Sequence, residues 1–425
     1  MAISTSTYKG ARDFYPSDKR EQNYIFKVWR ETVESFGYEE YDAPIIEPIE
    51  LYLAKTSEEI VNEQTYSFQD RGGRQVTLRP EMTPTVSRMV AARRQELPLP
   101  LRWYSIPNLW RYERPQKGRL REHWQLNVDL FGVSGLEAEH EIIEVVSSIM
   151  QRFGANQDTY IIRINSRKLI NDILRDYIKL DENQANSAIR LIDRQNKIEK
   201  DEFKQLVSEI AGDKTNDLLN IFSINNLNQL SSDLQEHQSV KELHQLLMML
   251  ARSGITNAVF DIGLMRGFDY YTDIVFEIFD TNPENSRALF GGGRYDGLVG
   301  LFGVEPIATI GFGMGDVTMK DFLLTHNLMP EQATGVDLEV ILIGDVFLEA
   351  QDVIKSLRLK GLKVAVDHTK RKIDKQLKMA DKAGYKYILF IGENELANNK
   401  YNLKELSTGQ EQVVDEDEIV SIILK

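Results

Sequence analysis

The sequence predicts an α+β fold: an antiparallel sheet flanked by helices, interrupted by a helical insertion and followed by a small α/β domain. Three observations carry this expectation. Strand-like text in the first third is joined by short glycine or proline turns, residues 166–250 change to long polar helices, and from 335 onward strand and helix patterns alternate. The expected boundaries are 1–165 and 251–325 for the sheet domain, 166–250 for the insertion and 335–425 for the terminal domain, with linker composition over 326–337.

The elements follow in chain order. "REQNYIFKVWRETVESFG" sets Ile25, Val28, Trp29 and Val33 on one helical face and closes at Gly37. "YEEYDAPIIEP" reads as a strand whose Pro44 donates no hydrogen bond, which suits an edge or an interface. "QTYSFQD" and "RQVTLRPEMT" form a hairpin through "RGG", with Gly72 and Gly73 expected to supply positive φ. "TPTVSRMVAARRQE" is helical, and "PLRWYSIPNLWRYE" with "HWQLNVDLFG" forms a second hairpin. The insertion holds "SRKLINDILRDYIKL", "NQANSAIRLIDRQNKI" and "VKELHQLLMMLARSG". Strand text returns in "AVFDIGLMRGFDYYTDIVFEIFD", the glycine turn "LFGGGRYDGLVGLFG" and "ATIGFGMGDVTMKDFLL", before "LEVILI", "LKVAVD" and "YKYILFIG" alternate with helices.

Composition narrows the function. The 425 residues include no cysteine, which excludes disulfides, thiolate zinc sites and cysteine nucleophiles. No apolar run approaches the roughly 20 residues that span a bilayer, and the N-terminus lacks an apolar leader, so the chain reads as cytoplasmic with no membrane partner. A net charge of −14 argues against a general nucleic-acid coat but allows a local basic site. Such a site stands at the second hairpin, where Arg111, Arg114, Lys117, Arg119 and Arg121 fall within eleven residues.

A charge run alone is ordinarily a wet surface. Here Pro115 and Gly118 shape the loop, and Arg111 and Arg121 flank it on strands rigid enough to hold them facing each other. Guanidinium groups so held suit phosphate oxygens, a triphosphate among them, and His123 with Trp124 offers rings to stack on a base. Familiar phosphate motifs are missing. "GGGRYDG" lacks the third glycine of the dinucleotide fingerprint, no P-loop occurs, and "EHEII" lacks the second histidine of a zinc protease helix.

Together "FYPSDKR", "LRPEMTPTVSR", "RYERPQKGRLREHWQLNVDLFG", "LMRGFDYYTDIVFE" and "GGGRYDGLVGLFG" resemble the histidyl-tRNA synthetase family of class II aminoacyl-tRNA synthetases, in the family's order along the whole chain. The resemblance implies a class II antiparallel sheet, a helical insertion and a C-terminal anticodon-binding domain. It also implies the reaction: histidine attacks the α-phosphate of ATP to give histidyl-adenylate, and the histidyl group passes to tRNA(His). Arg111 matches the motif 2 arginine that holds the α-phosphate and the substrate carboxylate, Arg119 and Arg121 match arginines near the ATP phosphates, and Arg266 matches the histidine-specific catalytic arginine. Glu81, Thr83 and Gln125 match the residues that bind the α-amino group. The imidazole is expected between Asp129 and Tyr271, with Tyr270 beside them, and His123 falls where a ring stacks on adenine. Magnesium is expected with ATP, and no protein ligand for a metal is assigned.

Three positions depart from the family pattern. Asp129 stands where glutamate is common, His123 where another ring is, and Thr318 where motif 3 usually carries an arginine for the γ-phosphate, with Lys320 as the nearest substitute. Motif 1, the helix ending at Gly37 and the strand through Pro44, implies a homodimer. In the terminal domain Lys363, Lys370, Arg371, Lys372, Lys375, Lys378 and Lys382 suit an RNA backbone, although lysines four apart are also a common solvated face. The alternative is a synthetase-like regulatory subunit that binds histidine without ligase activity. Arg111, Gln125, Arg266 and a full C-terminal domain favour the enzyme.

Overall fold

Period-two text makes the strands of the first unit, and the two faces of those strands have different fates. The structure, a computed structural model, describes residues 3–53, 64–193, 195, 198–264 and 270–424; two units divide the chain at residues 330 and 331. In the first unit, α1 (Pro16–Ser35) precedes β1 (Glu39–Glu40), β2 (Ile46–Pro48), β3 (Tyr66–Gln69), β4 (Gln75–Leu78) and α2 (Thr83–Ala92). Then come β5 (Leu101–Ser105), β6 (Asn108–Trp110), β7 (Glu122–Phe131), α3 (Glu137–Arg152) and β8 (Tyr160–Ser166). Helices fill the stretch to 252, among them α4 (Arg167–Asn171), α5 (Glu182–Asp193), α6 (Lys200–Ala211), α7 (Thr215–Phe222) and α8 (Gln238–Arg252). The sheet is completed by β9 (Ala258–Phe260), β10 (Ile274–Asp280), β11 (Ala288–Arg294) and β12 (Thr309–Gly315), and α9 (Asp316–Thr325) follows.

The nine-stranded sheet runs β1-β5-β7-β12-β11-β10-β8-β9, with β6 paired to the start of β7. Its pairs are antiparallel except β1 with β5 and β8 with β9. On one face Leu126, Val128 and Leu130 join Ile310, Phe312, Met314, Phe276 and Ile278 in a core with Ile25, Val28, Trp29 and Val33 of α1 and Ile142, Val146 and Ile149 of α3. The opposite face carries Gln125, Asn127 and Asp129 in register with Gly315, Gly313 and Gly311, and Gly313 and Gly311 in turn with Gly291 and Gly293. That side of the sheet is nearly bare.

The inserted helices have no core of their own. Leu169, Ile173, Ala185, Leu218, Leu243 and Leu246 belong to the same apolar cluster as the sheet. Ser166 starts the insertion by accepting the Leu169 N–H at 3.2 Å, a cap that ends β8 and opens α4.

The first hairpin departs from expectation in one detail. Gly73 has φ of +80°, but Gly72 is not among the positive-φ residues. The Asp70 carboxylate accepts the Gly72 and Arg74 N–H groups at 2.8 and 2.9 Å, so an aspartate shapes the turn and one left-handed residue suffices.

The second unit packs β13 (Leu338–Leu342), β14 (Val364–Asp367) and β15 (Tyr387–Ile391) in parallel, and extends them with antiparallel β16 (Tyr401–Glu405) and β17 (Glu411–Val414). The helices α10 (Ala350–Leu359), α11 (Ile373–Lys382) and α12 (Glu416–Ile423) flank this sheet in sequence, and its core includes Leu338, Val340, Ile354, Leu357, Leu389 and Ile419. Lys370, Arg371, Lys372, Lys375, Lys378 and Lys382 are all exposed. Among the described residues, no helix is long and apolar enough to cross a membrane.

A buried ion pair fastens the end of β11 to α3. The Arg294 guanidinium, 5% exposed, donates to Glu139, 1% exposed, at 2.7 Å, and also to the Val133 carbonyl at 3.1 Å and the Gly135 carbonyl at 3.3 Å. Burial pushes the Glu139 carboxyl upward, and the guanidinium opposes that shift. Removing one partner strands the other charge. Glu139→Ala is therefore expected to destabilise the protein by about 3–5 kcal/mol in urea unfolding, a loss well above that of an exposed ion pair.

Candidate active site

The open face collects side chains from several elements. Glu81 and Thr83 arrive at the start of α2, Arg111 just beyond β6, and His123, Gln125 and Asn127 along β7. Tyr270 and Tyr271 come before β10 begins, so strand alternation does not force them apart, and their ring centroids lie 5.0 Å from each other. An inner chamber of about 190 Å³ is lined by Glu81, Thr83, Arg111, Gln125, Asn127, Tyr270, Tyr271, Glu277 and Tyr295. An outer chamber of about 530 Å³ is lined by Arg111, Glu113, Lys117, Arg119, His123, Gln125, Arg287, Phe290, Thr318 and Asp321. Arg111, Gln125 and Gly313 line both.

Glycine makes this space. A Cβ at Gly313 would sit 2.8 Å from the Gln125 side-chain amide, inside contact distance. Side chains along β11 and β12 on this face would fill the floor on which Gln125 and Asn127 now lie.

Charge in the inner chamber is held by hydroxyls. Glu81 is 2% exposed and accepts from the Tyr270 hydroxyl at 3.1 Å. Asp129 is 3% exposed; one carboxylate oxygen accepts from the Tyr295 hydroxyl, and the other has no partner among the described residues. Burial pushes the Asp129 carboxyl up to about 7, against the opposing hydrogen bond from Tyr295. Asp129 does not itself line the chamber, because the shorter side chain stays behind the Tyr295 hydroxyl, which does. The sequence expectation of an imidazole directly between Asp129 and Tyr271 thus gains an intermediary.

The outer chamber has a different character. His123, half-buried, is pushed down to about 3 by burial first and then by Arg111 and Arg12, so its ring is neutral across the physiological range. Arg119 pairs with Glu113 at 3.2 Å, and Lys117 donates to the Glu284 carbonyl at 3.3 Å. Thr318 donates to the Leu289 carbonyl at 2.7 Å and places no cation there.

Three residues lie away from the places the sequence suggests. Arg121 is not in the lining of either chamber; its guanidinium stacks 4.0 Å from the Tyr112 ring centroid and donates to the Tyr8 hydroxyl at 3.1 Å. Lys320 is ion-paired with Glu21 at 2.6 Å and also lies outside the lining, so it does not replace the missing motif 3 cation. Arg266 falls outside the described residues. Conversely, Asn127, Glu277, Tyr295 and Arg287 line the chambers without having been singled out. The alternating glycines of "GGG" and "GFGMG" were the available signal for a bare sheet face.

An antiparallel sheet that offers paired amino-acid-sized and nucleotide-sized chambers, joined at Arg111, fits the catalytic domain of a class II aminoacyl-tRNA synthetase. Comparison with known proteins sharpens the class. A family profile described as histidyl-tRNA synthetase matches residues 10–315, and an anticodon binding domain profile matches 338–425. The histidine–tRNA ligase of Leptospira biflexa is 46% identical over 413 residues, covering 96% of this chain and 94% of the relative. That of Thermoplasma volcanium is 36% identical, covering 98% of each. The crystal structure of histidyl-tRNA synthetase from Nostoc superposes with a TM-score of 0.84 at 25% identity, covering 99% of each chain. The chain belongs to the histidyl-tRNA synthetase family.

Two measurements probe this geometry. Burial raises the Asp129 pKa above its unfolded value, so the folded state holds that proton more tightly and stability falls as pH rises from about 4 to about 7, then levels. The melting-temperature advantage of Asp129→Asn over wild type is expected to grow through that window, while histidine binding is lost. Gly313→Ala is expected to weaken both histidine and ATP binding in calorimetry, because the new methyl group displaces Gln125, which both chambers share.

Proposed function

We propose that this chain ligates histidine to tRNA(His), and that the two chambers divide the work. The observation that carries this reading is the shared wall: Arg111 and Gln125 belong to both chambers, so an amino-acid carboxylate and a nucleotide α-phosphate meet at one guanidinium. Attack of a histidine carboxylate oxygen on the α-phosphorus forms the mixed anhydride and releases pyrophosphate. Negative charge spreads over the phosphoryl oxygens as the displacement proceeds, and a fixed cation lowers the barrier by electrostatic stabilisation and positioning. Arg111 supplies that cation with its Nε tied to the Pro80 carbonyl at 2.8 Å, which fixes its plane. We assign the second cation to Arg266, which falls in sequence between the buried residues Leu264 and Tyr270.

Histidine is held by polar groups that a wrong side chain leaves unmet. Glu81 and Gln125 take the α-ammonium group, Thr83 and Tyr270 support them, and the imidazole faces the tyrosines at 271 and 295, with Asp129 behind. An analogue lacking ring nitrogens leaves the hydroxyls of Tyr271 and Tyr295 in the lining unmet, and the cost of those unpaired groups gives selectivity. In the outer chamber the neutral His123 ring and Phe290 flank adenine, and Arg119 lies toward the phosphates. Glu113 and Asp321 offer carboxylate oxygens there, a donor set that suits magnesium arriving on ATP. Magnesium would neutralise charge on the phosphate chain.

The second unit supplies the hold on tRNA, through the exposed cations around α11. A homodimer is supported by apolar exposure near motif 1: Ile45, Ile46 and Phe68 are 38–45% exposed. Translation is the setting, and the cytoplasm its place.

Amino-acid-dependent ATP–pyrophosphate exchange without tRNA tests the reading. Exchange is expected with histidine alone among the standard amino acids, and Arg111→Ala is expected to reduce it on the order of 10²–10³-fold. Saturable histidine binding with no exchange would move the protein to the regulatory class.

A further inference from the structure

The outer chamber presents an electrostatic gap and, in the same lining, a cation that can fill it. At the start of α9, Thr318 spends its hydroxyl on the Leu289 carbonyl, and Lys320 is committed to Glu21. A nucleotide triphosphate reaching past Arg111 and Arg119 still has an outer phosphate to neutralise. Arg287 lies on that chamber's wall, just ahead of β11. Its guanidinium donates to the neutral Gln116 side chain at 2.9 Å, and among the described residues it forms no ion pair. Five N–H donors on a guanidinium leave several free for a phosphate.

The loop that presents Arg287 is pre-organised. The buried Asp280 carboxylate accepts the Asn282 N–H at 2.8 Å and the Asn285 side chain at 2.7 Å, and pairs with His326 at 2.8 Å. Asn285 also donates to Thr325 at 3.1 Å, and the Asn282 side chain accepts the Glu284 N–H at 3.0 Å. This network ties the 281–287 loop to the far end of α9. The contacts of Arg287 with Gln116, and of Lys117 with the Glu284 carbonyl, then join that loop to the cationic loop across the chamber.

We infer that Arg287 binds the outer phosphate of ATP, and so takes up from the β10–β11 loop the charge that Thr318 does not provide from α9. The inference rests on the reading of the outer chamber as the ATP site. It predicts a phosphate-specific defect, since the adenine wall of His123 and Phe290 is separate from Arg287.

The test compares ATP and AMP binding by calorimetry, alongside histidine-dependent pyrophosphate exchange, in wild type, Arg287→Ala, Arg287→Lys and the double variant Arg287→Ala with Thr318→Arg. Arg287→Ala is expected to lose about 10–100-fold in ATP affinity, the worth of a hydrogen bond to a charged group, with AMP affinity and the KM for histidine unchanged. Arg287→Lys should retain part of the affinity, and Thr318→Arg should restore part of it. Lys320→Ala should leave ATP affinity unchanged. Equal losses for ATP and AMP, or no loss for either, would overturn the assignment while wild-type exchange kept the ATP site itself intact. Absence of ATP binding and exchange in wild type would instead reject the ATP site, and the assignment with it.

Discussion

Everything at the site depends on a sheet face from which side chains have been removed. Glycines at alternate positions of β11 and β12 lie beside one another in register, so two neighbouring strands are bare on the same side. The other side of those strands carries Phe290, Ile310, Phe312 and Met314 of the main core, with Arg294 paired to Glu139 at the end of β11. One sheet therefore bears the load on its packed face and leaves its open face for ligands. Gln125 and Asp129 can lie against the neighbouring strand because no side chain rises from Gly313 or Gly311 of β12 to meet them.

Buried charge on both sides of this sheet follows a consistent rule: each charged group meets a dipole or its opposite at close range, and the exceptions fall on the open side. Glu81 has Tyr270, and Arg294 has Glu139. Asp129 keeps one oxygen without a partner among the described residues, in a setting that already resists ionisation. Arg287 is the counterpart in the outer chamber, a cation resting against a neutral amide.

Much of this was legible in the sequence, and the failures have physical causes. Hairpins, the insertion and the terminal α/β unit follow from turn residues and periodicity, which are local. Glu81, Thr83, Arg111, Gln125, Tyr270 and Tyr271 line one chamber. Arg121 went astray because it sits at the bend just before β7, where Tyr112 of the same hairpin and Tyr8 near the start of the chain hold its guanidinium by stacking. Asp129 gained an intermediary because the missing methylene is filled by Tyr295, a residue 166 positions later. Lys320 lies two residues past the gap, yet a helix turns through about 200° in that distance, which carries its side chain away to Glu21. Arg287 had no sequence mark at all, since only the fold brings it to Gln116.

The order of the strands also governs how the chain is made. β7 waits for β12, and β8 for β10, while the ribosome completes the intervening helices. Some 178 residues separate the end of β7 from the start of β12, so at about 5–20 residues per second the central strand keeps one edge without its partner for about 9–36 seconds. That edge is flanked by apolar side chains and is open to pairing with another chain during that time. Gln125, Asn127 and Asp129, spaced along the same strand, interrupt its apolar run. The polar residues that mark the open face of the finished sheet thus also guard the nascent strand against aggregation.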